Sequence, residues 1–186
     1  MTSTQSGFGP SALATPANAV TIGRVLATPV LIAMVIDGGP SWPAVVFWFV
    51  LSCTDGVDGW LARRQGTTRS GAFLDPLADK VVVLAAMVAL VALGTFWWVP
   101  VAMIAIRELG LVAYRTSAGR RGISIPARQS AKLKTVVQDL AVGAALLPLT
   151  ADHSSFATSV LWLGVGLTVF TGAQYLLDGR RVARAV

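Results

Sequence analysis

The chain has 186 residues, of which 54% are hydrophobic and only 13% charged, with a formal net charge of +6 and a mean hydropathy of +0.67. That balance argues against a soluble domain with a charged coat and points to a membrane protein. The single cysteine excludes an intrachain disulfide; Cys53 lies inside an apolar run and is expected to be a small buried side chain, not a nucleophile.

Residues 1–15 are rich in Ser, Thr, Gly and Pro, carry no charged side chain, and lack the basic start of a signal peptide. They read as a mobile or surface-lying arm. Residues 16–186 read as one all-α domain. Pro16 and Asn18 precede a first helix over about Ala19–Ile36. Asn18 suits an N-cap, and Arg24 either a snorkelling interface anchor or an active-site residue. Asp37–Pro43 is a turn. The second helix is expected over about Trp42–Arg63 and the third over about Phe73–Leu93, with Pro76 in its first turn. A turn at Gly94–Trp98 places tryptophan at interface depth. The fourth helix is expected over about Val99–Ser117, followed by a basic link, Ala118–Arg128. The fifth is expected over about Gln129–Leu147, then a short polar turn, Pro148–Ser155. His153 in that turn is expected to be solvated. The sixth helix is expected over about Phe156–Leu177.

Six segments of this length can each cross a hydrocarbon core of about 30 Å, which takes about 20 residues, and only helices satisfy their own backbone there. The turns after the first, third and fifth helices hold no Lys or Arg; all 15 basic residues fall in the other half of the molecule. By the positive-inside rule that half, with both termini, is cytoplasmic. The basic charge then reads as a membrane-surface and phosphate feature. No repeat or nucleic-acid motif is visible, so nucleic acid is not an expected partner.

Against this apolar background, residues 55–79 stand out. Asp55, Asp58, Asp75 and Asp79 are four of the nine acidic residues. Asp55 and Asp58 are spaced i,i+3 near the end of one helix; Asp75 and Asp79 are spaced i,i+4 near the start of the next. The short polar linker Gly66–Ser70 predicts that the two helices are antiparallel neighbours. At about 5 Å and an effective dielectric of about 20, each pair repels by roughly 3 kcal/mol. Four such charges call for cations, and all-oxygen ligands suit two divalent ions, Mg²⁺ or Mn²⁺. The plainer alternative is a set of interfacial caps and ion pairs with Arg63, Arg64, Arg69 and Lys80. Carboxylates at membrane depth are functional candidates by default.

The pattern Asp55-x2-Asp58-Gly59-x2-Ala62-Arg63-x7-Gly71-x3-Asp75-x3-Asp79 resembles the signature of the CDP-alcohol phosphotransferases, integral membrane enzymes that build phospholipid head groups. Asn18-x2-Thr21-x2-Arg24 resembles their first-helix motif. The resemblance implies a metal-dependent transferase of two divalent ions in which Asp55, Asp58, Asp75 and Asp79 bind metal. Asp79 is the implied general base. Asp58, Gly59, Ala62, Arg63 and Gly71 are implied to line the CDP site, and a homodimer is implied.

Outside the signature, Arg107 and Arg115 are eight residues apart on the fourth helix, and Lys132 and Lys134 open the fifth. Such a basic cluster suits an acceptor carrying its own phosphate. Arg107-Glu108 and Lys132-Leu-Lys134-Thr135 resemble the phosphatidylglycerophosphate synthase branch of the family. The implied reaction takes CDP-diacylglycerol and sn-glycerol 3-phosphate and releases CMP at the cytoplasmic face of a bacterial plasma membrane. A phosphatidylinositol phosphate synthase is the alternative within the family. A divalent-cation transporter using the same carboxylates, or a catalytically silent scaffold, is the alternative outside it.

Overall fold

The computed structural model describes residues 16–65, 71–120 and 129–184; within these, side chains are described for 19–54, 78, 80–114, 117, 132–150 and 155–175. The described residues form six α-helices: α1 (Pro16–Gly38), α2 (Trp42–Gln65), α3 (Gly71–Ala92), α4 (Trp98–Arg120), α5 (Gln129–Leu146) and α6 (Ser154–Arg184). A short 3₁₀ helix, Pro148–His153, leads into α6. The elements match the sequence reading closely, and the departures are at the ends. α3 starts at Gly71, which moves Pro76 from the first turn into the second. α6 continues to Arg184, beyond the expected Leu177.

The turns form where the chain supplies residues for them. Gly39 (φ 63°) follows α1 and Gly94 (φ 74°) follows α3, both in the left-handed region that glycine enters without a Cβ penalty. At the second turn, Gly94 N–H donates to Val91 O at 2.9 Å and Thr95 N–H to Leu90 O at 3.0 Å, the paired bonds that close a helix C-terminus. After α5, the Thr150 hydroxyl donates to the carbonyls of Leu147 and Ala144. These bonds satisfy carbonyls that the last turn would otherwise leave open.

α1 packs against both α2 and α3, α5 packs along α6, and α4 lies against α3 and α6. α5 also reaches α2 and α3, which ties the two sides of the bundle together. The expected direct pairing of α2 with α3 is not among the packed helix pairs of the described residues: α1 takes that position against both. A five-residue link still keeps Gln65 and Gly71 within about 20 Å of each other, so only the facing ends of α2 and α3 are constrained to approach.

Leu31, Val35, Met87, Leu90, Ile104, Leu146 and Leu161 are fully buried and form the centre of the core. Large apolar side chains also cover the outside. Leu26, Phe49, Val88, Ile106, Leu140 and Phe170 are each more than half exposed and come from all six helices. A water-soluble bundle would turn polar residues outward; an apolar exterior this extensive suits lipid. Ala19–Gly38 and Ser155–Tyr175 are long and apolar enough to span a membrane, and Trp42–Thr54 and Lys80–Ala92 are shorter apolar helical segments. α4 and α5 owe their lower apolar content to Arg107, Glu108, Lys134, Gln138 and Asp139.

Cys53 is exposed, which corrects the expectation of a buried thiol. Leu51 and Trp48 take the inward face of α2, and an apolar run on a lipid-facing helix is apolar on both faces.

Candidate active site

Asp55 and Asp58 lie in α2, and Asp75 and Asp79 in α3. Their side chains fall outside the described residues, as do those of Gly59, Ala62, Arg63, Gly71, Arg115 and His153. Among the described side chains, no group of three or more His, Cys, Asp or Glu comes together. Asp55 and Asp58 thus stand in the C-terminal half of α2, and Asp75 and Asp79 in the N-terminal half of α3, the two halves joined by the short link.

The described side chains include a buried charge cluster centred on Glu108 of α4. This carboxylate is 3% exposed. Its Oε1 accepts hydrogen bonds from Lys134 Nζ of α5 and from Arg107 Nη1 at 2.9 Å. Its Oε2 lies 3.7 Å from Lys80 Nζ of α3. One acidic group thus gathers cations from three helices. Lys134 is itself 2% exposed. A buried ion of either sign is costly without a partner, and deleting one member of such a set costs about 3–5 kcal/mol.

Arg107 extends the cluster toward α6. Its Nη2 donates to Thr171 Oγ1 at 2.9 Å, and the Thr171 hydroxyl donates in turn to Leu167 O at 2.7 Å. The guanidinium carbon stands 6.0 Å from the centre of the Tyr175 ring, within the range of a cation–π contact. Gly172 leaves room beside it: a Cβ there would sit 3.5 Å from Arg107 Cγ and Nε. Arg107 Nε is buried and makes no hydrogen bond with a described residue. One turn further along α5, Gln138 Nε2 donates to Thr168 Oγ1 at 3.0 Å. This neutral bond continues the polar seam between α5 and α6.

Of the four residues expected at an acceptor phosphate, Arg107 and Lys134 are brought together on Glu108. Lys132 is exposed and separate from that buried group, as its spacing of two from Lys134 dictates on a helix. The spacing of Arg107 and Arg115 and the sequence around Lys134 do not show that Arg107, Lys134 and Lys80 share one carboxylate. The missed signal was Glu108 itself, an acidic residue in the middle of an apolar helix, which has to find cations.

Arg24 is also inside the bundle. At 4% exposure it lines a small internal space with Trp48, Leu51, Ser52, Val82, Val83 and Asp139. That burial rules out the reading of Arg24 as a snorkelling anchor. Trp48 Nε1 donates to the Asp139 carbonyl at 3.2 Å, fixing α2 to α5 beside it.

Comparison with known proteins bears on the whole arrangement. The family model for CDP-alcohol phosphatidyltransferase matches residues 14–170. The chain belongs to the CDP-alcohol phosphatidyltransferase family. The match runs from the first-helix motif through the aspartate signature and the Glu108 cluster into α6. A Mycobacterium tuberculosis protein named probable phosphatidylglycerophosphate synthase is 41% identical over 180 residues, covering 93% of this chain and 85% of its own length. The CDP-diacylglycerol–glycerol-3-phosphate 3-phosphatidyltransferase of Haemophilus influenzae is 36% identical, covering 84% of this chain and 89% of its own. The protein of that name from Bacillus subtilis is 33% identical, with 85% and 91% covered. For a CDP-alcohol phosphatidyltransferase, a membrane setting accounts for the apolar exterior described above.

Proposed function

We propose that this chain transfers the phosphatidyl group of CDP-diacylglycerol to sn-glycerol 3-phosphate, releasing CMP, as the phosphatidylglycerophosphate-forming step of phospholipid synthesis. The observation that carries this reading is the cluster on Glu108. Among the described residues, three cations, Lys80, Arg107 and Lys134, stand against one carboxylate. The net charge of +2 complements a phosphate monoester dianion, and a neutral alcohol would have no use for it. The names borne by the Haemophilus and Bacillus relatives support the same acceptor.

Four aspartates offer only hard oxygen donors, which fits Mg²⁺ or Mn²⁺ and fits poorly a metal that prefers sulfur or imidazole. Asp55, Asp58, Asp75 and Asp79 would hold two such ions, whose chemistry is to neutralise a diphosphate and the charge that develops on its oxygens. Asp58, Gly59, Ala62, Arg63 and Gly71 bind the CDP portion, the small residues letting it approach the backbone. Arg107 and Lys134, with Arg115 further along α4, bind the acceptor phosphate and so aim the acceptor hydroxyl. Asp79 takes the hydroxyl proton as the oxygen bonds to the lipid-side phosphorus. The bond from that phosphorus to the CMP oxygen breaks, and CMP leaves with the electron pair. Positioning of the nucleophile in line with the leaving group supplies much of the rate.

In this reading all six helices cross a bacterial plasma membrane, 16–186 act as a single domain, both termini and the active site are cytoplasmic, and two copies form a homodimer. The distribution of the 15 basic residues supports the orientation. The experiment is direct. Purified protein in lipid nanodiscs, given CDP-diacylglycerol and labelled glycerol 3-phosphate, should release CMP and form labelled lipid only when Mg²⁺ or Mn²⁺ is present. Turnover with inositol phosphate in place of glycerol 3-phosphate would move the assignment to the inositol branch.

A further inference from the structure

Acceptor binding by Arg107 and Lys134 leaves Glu108 without a task, although it is the group on which both converge. A carboxylate beside a phosphate site lowers the site's positive charge and, by charge alone, weakens it. Glu108 is nonetheless 3% exposed and engaged through both oxygens. Its described contacts are all to cations: two hydrogen bonds on Oε1 and an ion pair on Oε2.

We propose that Glu108 is a positioning residue of the acceptor site. Its two oxygens hold the tips of Lys134, Arg107 and Lys80, from three different helices, as one preset receptor for a phosphate monoester. The proposal rests on the reading of Arg107 and Lys134 as ligands of the acceptor phosphate. Three cations converging without Glu108 would repel one another, and the two lysines would spread over many rotamers. With it, Arg107 and Lys134 each commit one donor to the carboxylate, and Lys80 is held by an ion pair at 3.7 Å. The guanidinium spends a second on Thr171, which fixes its plane while leaving three of its five N–H groups for an anion. The contact also reaches the reacting end of the site. Lys80 follows Asp79 in sequence, so its contact with Glu108 ties the middle of α3 to α4, one residue from the implied base.

The sign of one kinetic change separates positioning from simple charge balance. Glu108→Gln raises the charge of the cluster from +2 to +3. If charge alone mattered, the KM for glycerol 3-phosphate would fall. If Glu108 positions the cations, that KM rises by about 10- to 100-fold, the range for hydrogen bonds to charged groups. The KM for CDP-diacylglycerol and kcat at saturating acceptor stay within about threefold. A fall or no change in acceptor KM overturns the proposal. Glu108→Asp keeps the charge but withdraws it by one methylene, and should give a smaller rise; an unchanged KM there overturns the proposal too, and this variant serves if the Gln variant does not fold. Adding Glu108→Gln to the double variant Arg107→Ala/Lys134→Met should leave the acceptor KM close to that of the double variant alone, because Glu108 acts through those two cations. Multiplying effects would mean an independent role and would sink the idea. Thr168→Val, which breaks the Gln138 bond one turn away, should lower thermal stability and leave the two KM values in their usual ratio; a shift equal to that of Glu108→Gln would assign the effect to packing. If Arg107→Ala and Lys134→Met leave the acceptor KM unchanged, the phosphate-site reading itself fails. If they raise it and Glu108→Gln does not, only the positioning role fails.

Discussion

The same helices meet in two different ways along their length. Toward the turns at Gly39, Gly94 and Pro148 they meet through Leu31, Val35, Met87, Leu90, Leu146 and Leu161, all fully buried and apolar. Away from those turns, α3, α4, α5 and α6 meet through Lys80, Glu108, Arg107, Lys134 and Thr171, joined by hydrogen bonds and ion pairs. Apolar helices in lipid gain little from hydrophobic burial against one another; close packing does most of the work. The apolar half therefore stabilises the bundle through fit alone. The polar half is costly to desolvate, and its balance depends on every charge having a partner. A bundle needing only stability would have no use for the second half, which is why its presence argues for chemistry.

Three substitutions probe that contrast. The largest effect should come from Asp79→Asn at the polar end. It should reduce CMP release by about 10²–10⁴-fold, the range for loss of a general base, while the protein remains folded and still binds CDP-diacylglycerol in a thermal-shift assay. Normal turnover would remove Asp79 as the base. Next, Met87→Ala in the apolar half should cost about 2–5 kcal/mol of stability, as cavity-forming substitutions do, seen as a lower denaturation midpoint in detergent. The folded fraction should keep its acceptor KM, and a raised KM would show that the two halves are coupled. The smallest effect should follow Gly166→Ala on α6. A Cβ there meets no neighbour within 4 Å, so the gain is helix propensity alone, at most about 1 kcal/mol, with unchanged kinetics. A clear loss of stability would mean that this outward face is packed against something other than lipid.

How much of this could be read from the chain depended on the range of the interaction. Helices and turns followed local rules, and Gly94 stops α3 where it was expected to. The aspartate signature lies within 25 residues of sequence, so it was visible as a pattern even though its side chains lie outside the described residues. The Glu108 cluster was not visible as a cluster. Its members come from α3, α4 and α5, and their convergence depends on which helices pack together. Arg107 beside Glu108 was the only adjacent pair, and adjacency on a helix does not imply a shared site. The same cause applies to α2 and α3: a short linker brings their ends near each other, and among the described residues α1 packs against both helix bodies. For Arg24, left open between anchor and site, and for Cys53, expected to be buried, the undecided quantity was environment. Hydropathy cannot tell an inward from a lipid-facing position when both are apolar, so the arginine proved buried and the thiol exposed.

That exposed thiol has a practical consequence. Cys53 is the single cysteine of the chain, set on the outward face of α2 near the end that carries Asp55 and Asp58. A nitroxide attached there needs no background removal. Fast collisions with dissolved oxygen would report acyl chains against that face, whereas dipolar broadening between labels would report that a second copy covers it.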